Sequence, residues 1–103
     1  MDDYTPSDPQ AEADREAAQA ATADAARLVE AADWKWLMRH EAGRRIVWDL
    51  MSEAGIFRTS FTGDNATFFN EGKRHVGLSI LARVNEHCPE RYLAMLNERK
   101  PNV

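Results

Sequence analysis

The side chains best suited to chemistry in this 103-residue chain are paired cations beside glycines. Glu41-Ala-Gly43-Arg44-Arg45-Ile-Val47 and Glu71-Gly72-Lys73-Arg74-His-Val76 repeat one element: an acid, a glycine, two basic positions and a β-branched residue. A guanidinium fork takes phosphate or carboxylate bidentately, so four converging cations would hold an anion on a nucleic acid or an acidic peptide. Whether they converge depends on the elements that carry them. If two antiparallel helices are joined by a turn over residues 55–63, Arg44 and Arg45 lie about ten residues before it and Lys73 and Arg74 about ten after it, at one height. The competing reading is local pairing. Glu41 with Arg45, Arg45 with Asp49, and Glu71 with Arg74 or His75 stand at helical i, i+3 or i+4 spacing, which would leave a solvated, neutralised face.

Other chemistry finds less support. His40, His75, His87 and Cys88 offer no metal spacing, because neighbours at i and i+1 point apart on a helix, and the same divergence rules out a Cys88–His87 nucleophile and base. No phosphate-cradling glycine loop or strand-borne serine motif exists. The expectation is a protein that is not an enzyme, with no cofactor and no metal. Trp48 lies off the main apolar stripe of its helix, and Phe68 and Phe69 cannot both face one way, so Trp48 and Phe68 are the candidate partner-facing aromatics. Base stacking by such aromatics is the nucleic-acid alternative.

The elements follow from punctuation and periodicity. Asp8-Pro9 reads as a helix cap and first residue, after which eleven of the 22 residues from 11 to 32 are alanine. Alanine gives propensity without apolar area, so the spacing predicts an acidic N-terminal arm over 1–32, with a disordered lead-in through residue 10 and a frayed or detached first half. A helical core domain over 33–99 follows, and residues 100–103 form a tail. Within the core, Ile46, Val47, Leu50, Met51 and Ala54 mark one helix closed by Gly55, and Asp64 caps the next. That helix, from about Asn65 to about His87, would turn Ala66, Phe69, Val76, Ile80, Leu81, Val84 and Cys88 inward. Gly72 and Gly77 inside it point to close approach of a backbone or ligand. Pro89 opens a last helix burying Tyr92, Leu93, Met95 and Leu96. The fold class is all-α: a small bundle of three to four helices around a central antiparallel hairpin, with a flexible acidic arm.

Charge divides along the same boundary. Residues 1–33 hold nine acidic and two basic side chains, and residues 34–103 hold eight acidic and eleven basic, so a net −4 conceals two opposed parts. A single cysteine, no apolar run near the roughly 20 residues a membrane span needs, and an acidic start without a signal-peptide pattern lead to the expectation of a soluble intracellular protein or one packaged in an assembly.

One array gathers these positions: Asp33-x-x-x-Leu37-Met38, Gly43-Arg44-Arg45-x-x-Trp48-x-Leu50, Gly55-Ile56-Phe57-Arg58-x-Ser60-Phe61-x-Gly63, Phe69-x-Glu71-Gly72-x-Arg74-x-Val76-Gly77-Leu78 and Cys88-Pro89-x-x-Tyr92-x-x-Met95. It resembles a family of small tailed-phage proteins encoded among podovirus-type head and tail genes. The resemblance spans about Asp33 to Glu98 and leaves the alanine-rich arm outside. It implies a minor virion or assembly component linked to the portal region, the internal core or proteins ejected with DNA, located in the virion or in host cytoplasm during assembly. Gly43, Arg44, Gly63, Gly72, Arg74, Gly77 and Pro89 carry over as signature positions without catalytic roles.

Three functions remain in view. The first is a non-enzymatic module docking on other phage virion proteins, with a homo-oligomer as one form. The second is a DNA-associated module in which Arg44, Arg45, Lys73 and Arg74 grip phosphates while the acidic arm competes as a mimic. The third is an effector that blocks a host protein.

Overall fold

The computed structural model describes residues 8–99. They form four helices, α1 (Pro9–Arg39), α2 (Glu41–Glu53), α3 (Ala66–His87) and α4 (Pro89–Arg99), with no strand among the described residues, so the fold is all-α. The chain divides into two compact units, Met1–Ala32 and Asp33–Val103.

In the first unit, α1 starts where the Asp8 carboxylate accepts the Gln10 amide at 3.0 Å and the Asp8 carbonyl accepts the Glu12 amide at 2.9 Å. Pro9 then occupies a position whose amide would have had no partner. The alanine-rich stretch is part of the continuous helix, as the high helix propensity of its many alanines favours. Its apolar pair Leu28 and Val29 is exposed. Most of the expected disordered lead-in, residues 1–7, and the tail, residues 100–103, lie outside the described residues.

The second unit is built on a small core of Met38, Val47, Met51, Ile56, Val84, Cys88 and Met95, flanked by Trp34, Leu37, Trp48, Ile80, Leu81 and Tyr92. Met38, Met51 and Met95 are all fully buried. Unbranched methionines fill irregular gaps between short helices better than β-branched residues would. His40 alone separates α1 from α2, in extended conformation with φ −94° and ψ 134°. Its amide returns to the Leu37 carbonyl at 3.3 Å, and its Nδ1 lies 2.8 Å from the Trp36 carbonyl oxygen. So tight a corner brings α2 onto the end of α1, and Gly43 is the point of contact: a Cβ there would fall on the Leu37 carbonyl oxygen.

Helix α2 ends as its glycine suggested, with Gly55 at φ +84° and the Ala54 and Gly55 amides bonded to Leu50 and Ser52 carbonyls. Helix α3 is launched by Asp64, whose carboxylate accepts the Ala66 amide at 2.9 Å and the Thr62 hydroxyl at 2.7 Å. Gly77 of α3 packs on the end of α2, where a Cβ would lie 2.6 Å from Ala54 Cβ and 2.5 Å from Ile56 Cγ2. At the other end of α3, the Cys88 thiol approaches the Trp34 carbonyl at 4.0 Å, beside the corner where α2 begins. These two contacts make α3 antiparallel to α2. Pro89 then opens α4, which packs against both.

The buried faces differ in detail from the expected ones. On α2 the inward side carries Gly43, Arg44, Val47 and Met51, while Ile46 and Leu50 are exposed, because α3 and α4 meet the helix on the side one residue removed from the most apolar stripe. On α3 the second half packs as expected, but Ala66, Phe69 and Val76 are exposed. The reason is register: Gly77 already lies level with the end of α2, so the first half of α3 extends past it. Gly72 accordingly has nothing within 4 Å of its would-be Cβ, and close approach belongs to Gly77 alone of this pair. On α4, Leu93 faces out and Tyr92 and Met95 face in.

Candidate functional site

The four candidate cations do not converge. Arg44 is buried on the inner face of α2, and each of its three guanidinium nitrogens has a partner. Its Nε donates to Glu98 Oε1 at 2.8 Å, its Nη2 reaches the same oxygen at 2.7 Å, and its Nη1 donates to the carbonyls of Met38 at 2.8 Å and Arg39 at 3.0 Å. Those two carbonyls end α1 and have no partner within it, so one side chain caps α1, anchors α2 and clamps α4. The Arg44 hydrogen bond holds the Glu98 carboxyl below the usual glutamate range. Arg44, a candidate anion or partner contact in the sequence, is thus engaged within the second unit. Arg45 faces solvent and meets Glu41 at 3.5 Å, the local pairing anticipated for it.

Lys73 and Arg74 lie on the part of α3 that projects beyond α2, roughly 20 Å along the axis from Arg44 at 1.5 Å per residue. Equal spacing from the turn failed as a guide because residues 55–65 are not a tight turn. They run back along α3, held by the Ser60 hydroxyl donating to Glu71 Oε1 and by Asn70 Nδ2 donating to the Ser60 carbonyl at 3.4 Å. Ser60 is buried in consequence. This places Arg58, which the sequence reading left out of the candidate cations, against the second basic cluster. Arg58 and Lys73 line one cleft of about 210 Å³ with Gly55, Thr59, Ser60 and Asn70, and Arg58 and Arg74 line a neighbouring one with Glu71. Glu71 turns to Ser60, and neither Arg74 nor His75 forms the expected ion pair with it among the described residues.

Of the two candidate aromatics, Trp48 has an internal partner. It is half-buried and stacks on Phe57, with ring centroids 4.8 Å apart at 29°. Phe68 is 79% exposed and unmatched by any ring within the described residues. Phe69 is exposed too, with the Lys73 ammonium 5.2 Å from its ring centre. On the opposite flank, Trp36, Leu37, His40, Gly43 and Ile46 border an apolar groove of about 290 Å³. The signature glycines sort by role: Gly43 and Gly77 permit contact, Gly63 takes φ +80° ahead of the Asp64 cap, and Gly72 is open.

The remaining reactive groups are placed by burial. Cys88 is fully buried, and desolvation pushes its thiol pKa up, with Glu90 adding to the shift. A thiolate is the reactive form. Native protein should therefore react with a thiol-specific disulfide reagent far more slowly than protein in denaturant, and equal rates would show that the core opens readily at α4. No group of three or more His, Cys, Asp or Glu gathers to hold a metal among the described residues. No helix of the described residues is long and apolar enough to cross a membrane.

Comparison with known proteins bears on the second unit. No curated protein and no solved structure matches the chain. A protein-family model does, described as Bbp19-like phage protein, over residues 34–97. That interval holds the end of α1, all of α2 and α3, and nearly all of α4, including the Arg44–Glu98 clamp's arginine, the Gly43 and Gly77 contacts and the basic connector region. With more than half of its length matched, and matched across the whole packed core, the chain belongs to the Bbp19-like phage protein family.

Proposed function

We propose that this family member is a non-enzymatic component of the phage particle or of its assembly, a small helical module that docks on larger virion proteins. The observation that carries this reading is the first half of α3 with its connector. Phe68, Phe69 and Val76 stand exposed on the first half of α3, and Phe61 stands exposed on the connector that runs along it. An isolated apolar residue on a surface needs no explanation, but four on one projecting segment of so small a unit form a surface suited to a partner. Aromatic side chains are the usual anchors of such contacts. Family membership supports the setting, and the engaged Arg44 and buried Cys88 supply no catalytic group. Other phage virion proteins, or further copies of this chain, are the partners this surface suits, in the virion or in host cytoplasm during assembly.

Mass spectrometry of purified particles tests the reading, with peptides of this chain expected at fixed copy number. Phe68→Glu should leave stability within about 0.5 kcal/mol of wild type, as exposed substitutions do, while sharply reducing incorporation into particles. Particles that lack the polypeptide would overturn the proposal. So would normal incorporation of both Phe68→Glu and a Phe68→Glu/Phe69→Glu double variant.

A further inference from the structure

We propose that the cleft between the α2–α3 connector and the first half of α3 is a binding site for a phosphate group, held by Arg58 and Lys73 with Arg74 alongside. The inference is independent of the docking role proposed above.

Three observations converge on it. The first is the lining: Gly55, Arg58, Thr59, Ser60, Asn70 and Lys73, with Ala54, enclose about 210 Å³, and no carboxylate faces it. A water molecule's share of volume is about 30 Å³, so a tetrahedral oxyanion fits with part of its hydration. The second is charge bookkeeping of side chains. Arg58 and Arg74 form no ion pair among the described residues, as several other surface cations do not, and Lys73 meets only the face of Phe69. Glu71 accepts the Ser60 hydroxyl and lines the neighbouring cleft with Arg58 and Arg74, so it stands beside the cleft of Arg58 and Lys73 and not in its lining. The third is rigidity. Gly55 at φ +84°, the Ser60–Glu71 bond and the Asn70–Ser60 bond fix the connector on α3, so the Arg58 and Lys73 stems are presented from two walls.

The donor set favours phosphate over carboxylate. One guanidinium fork satisfies a carboxylate, while a phosphate has oxygens left for the Lys73 ammonium, the Thr59 hydroxyl and the second Asn70 N–H. The phosphate could stand free or in a nucleic-acid backbone, and the same chemistry would recognise either.

Nuclear magnetic resonance on the full chain tests this, by titrating inorganic phosphate against sodium chloride at matched ionic strength. Phosphate should shift the Gly55, Thr59 and Ser60 amides and the Asn70 side-chain signal. Arg58→Gln and Lys73→Gln should each weaken the response about tenfold, and Arg45→Gln should not change it. A second arm uses a short duplex oligonucleotide. Tighter binding than inorganic phosphate, with a log–log salt slope of about −0.9 per phosphate neutralised, assigns the site to a nucleic-acid backbone, and weaker binding assigns it to free phosphate. Shifts equal in chloride, or shifts that survive in Arg58→Gln and Lys73→Gln, overturn the proposal. Tighter binding of a peptide carrying residues 8–32 than of phosphate or oligonucleotide overturns it as well, in favour of an acidic-peptide site.

Discussion

Arg44→Met is expected to lower the unfolding free energy by about 3 kcal/mol, a large share of the roughly 3.5–10.5 kcal/mol that a unit of about 70 residues holds at 0.05–0.15 kcal/mol per residue. The loss exceeds that of an ordinary salt bridge because the side chain does three things at once. Its removal leaves the Glu98 carboxylate without a counter-charge in a site where its side chain is 22% exposed, and strips the Met38 and Arg39 carbonyls of their donor. Replacing both partners by apolar residues, Arg44→Met with Glu98→Leu, should cost less than Arg44→Met alone, since no charge is then stranded. Chemical denaturation of the two variants measures the difference. A double variant that is less stable than the single one would mean that the charge pair contributes net stability beyond the cost of leaving Glu98 alone.

The same pair sets a pH dependence whose sign follows from Glu98. Its folded pKa is depressed, first by the Arg44 hydrogen bond and, after partial opposition from burial, by the Arg44 charge. The carboxylate therefore binds protons less readily in the folded protein than in the unfolded chain. The pair's contribution is fully present above the ordinary glutamate value, about 4.3, and is lost as pH falls through the lower folded value. Denaturation midpoints compared at neutral and acid pH should fall steeply in wild type and less steeply in Arg44→Met.

Gly43→Ala is the second large effect, and it is opposite in sign to what helix propensity implies. Alanine at an open helical glycine gains up to about 1 kcal/mol. At Gly43 the new methyl would collide with the Leu37 carbonyl oxygen and crowd the Leu37 side chain. A backbone oxygen cannot rotate away, so the α1–α2 corner must open, and overpacking of this kind costs typically 1–3 kcal/mol. A net loss of about 2 kcal/mol is expected, with a fall in Tm of roughly 8–16 °C. Gly72→Ala is the matched control: nothing lies within 4 Å of that Cβ, so it should raise Tm. Calorimetry on the pair separates steric role from propensity. Two stabilising outcomes would show that the corner yields without cost.

What the sequence made legible was local. Asp8-Pro9, Gly55, Asp64 and Pro89 each act within a few residues of themselves, through a cap, a positive φ or a missing amide, and each stands at a helix end. The Arg44–Glu98 contact joins residues 54 apart, and no spacing rule spans that distance. A trace of it was nonetheless present: Arg44 precedes Val47 and Met51 at helical spacing, which puts a guanidinium on the buried stripe and calls for an acid on a facing helix. The basic connector was missed for a different reason. Residues 55–65 have the composition of a turn, but the Ser60 and Asn70 bonds lay them along α3, and that path moved the hairpin register by several turns. Arg58 entered the site only because of that displacement.

Gly77 divides α3 into two stretches with different obligations. Residues after it, such as Val84 and Cys88, answer to the core; residues before it, such as Phe68, Phe69 and Lys73, touch little of it. Substitutions on opposite sides should combine additively, as they do between sites with no shared neighbours. Substitutions in the projecting surface can then alter what it binds while leaving the packed core, and with it foldability, largely untouched.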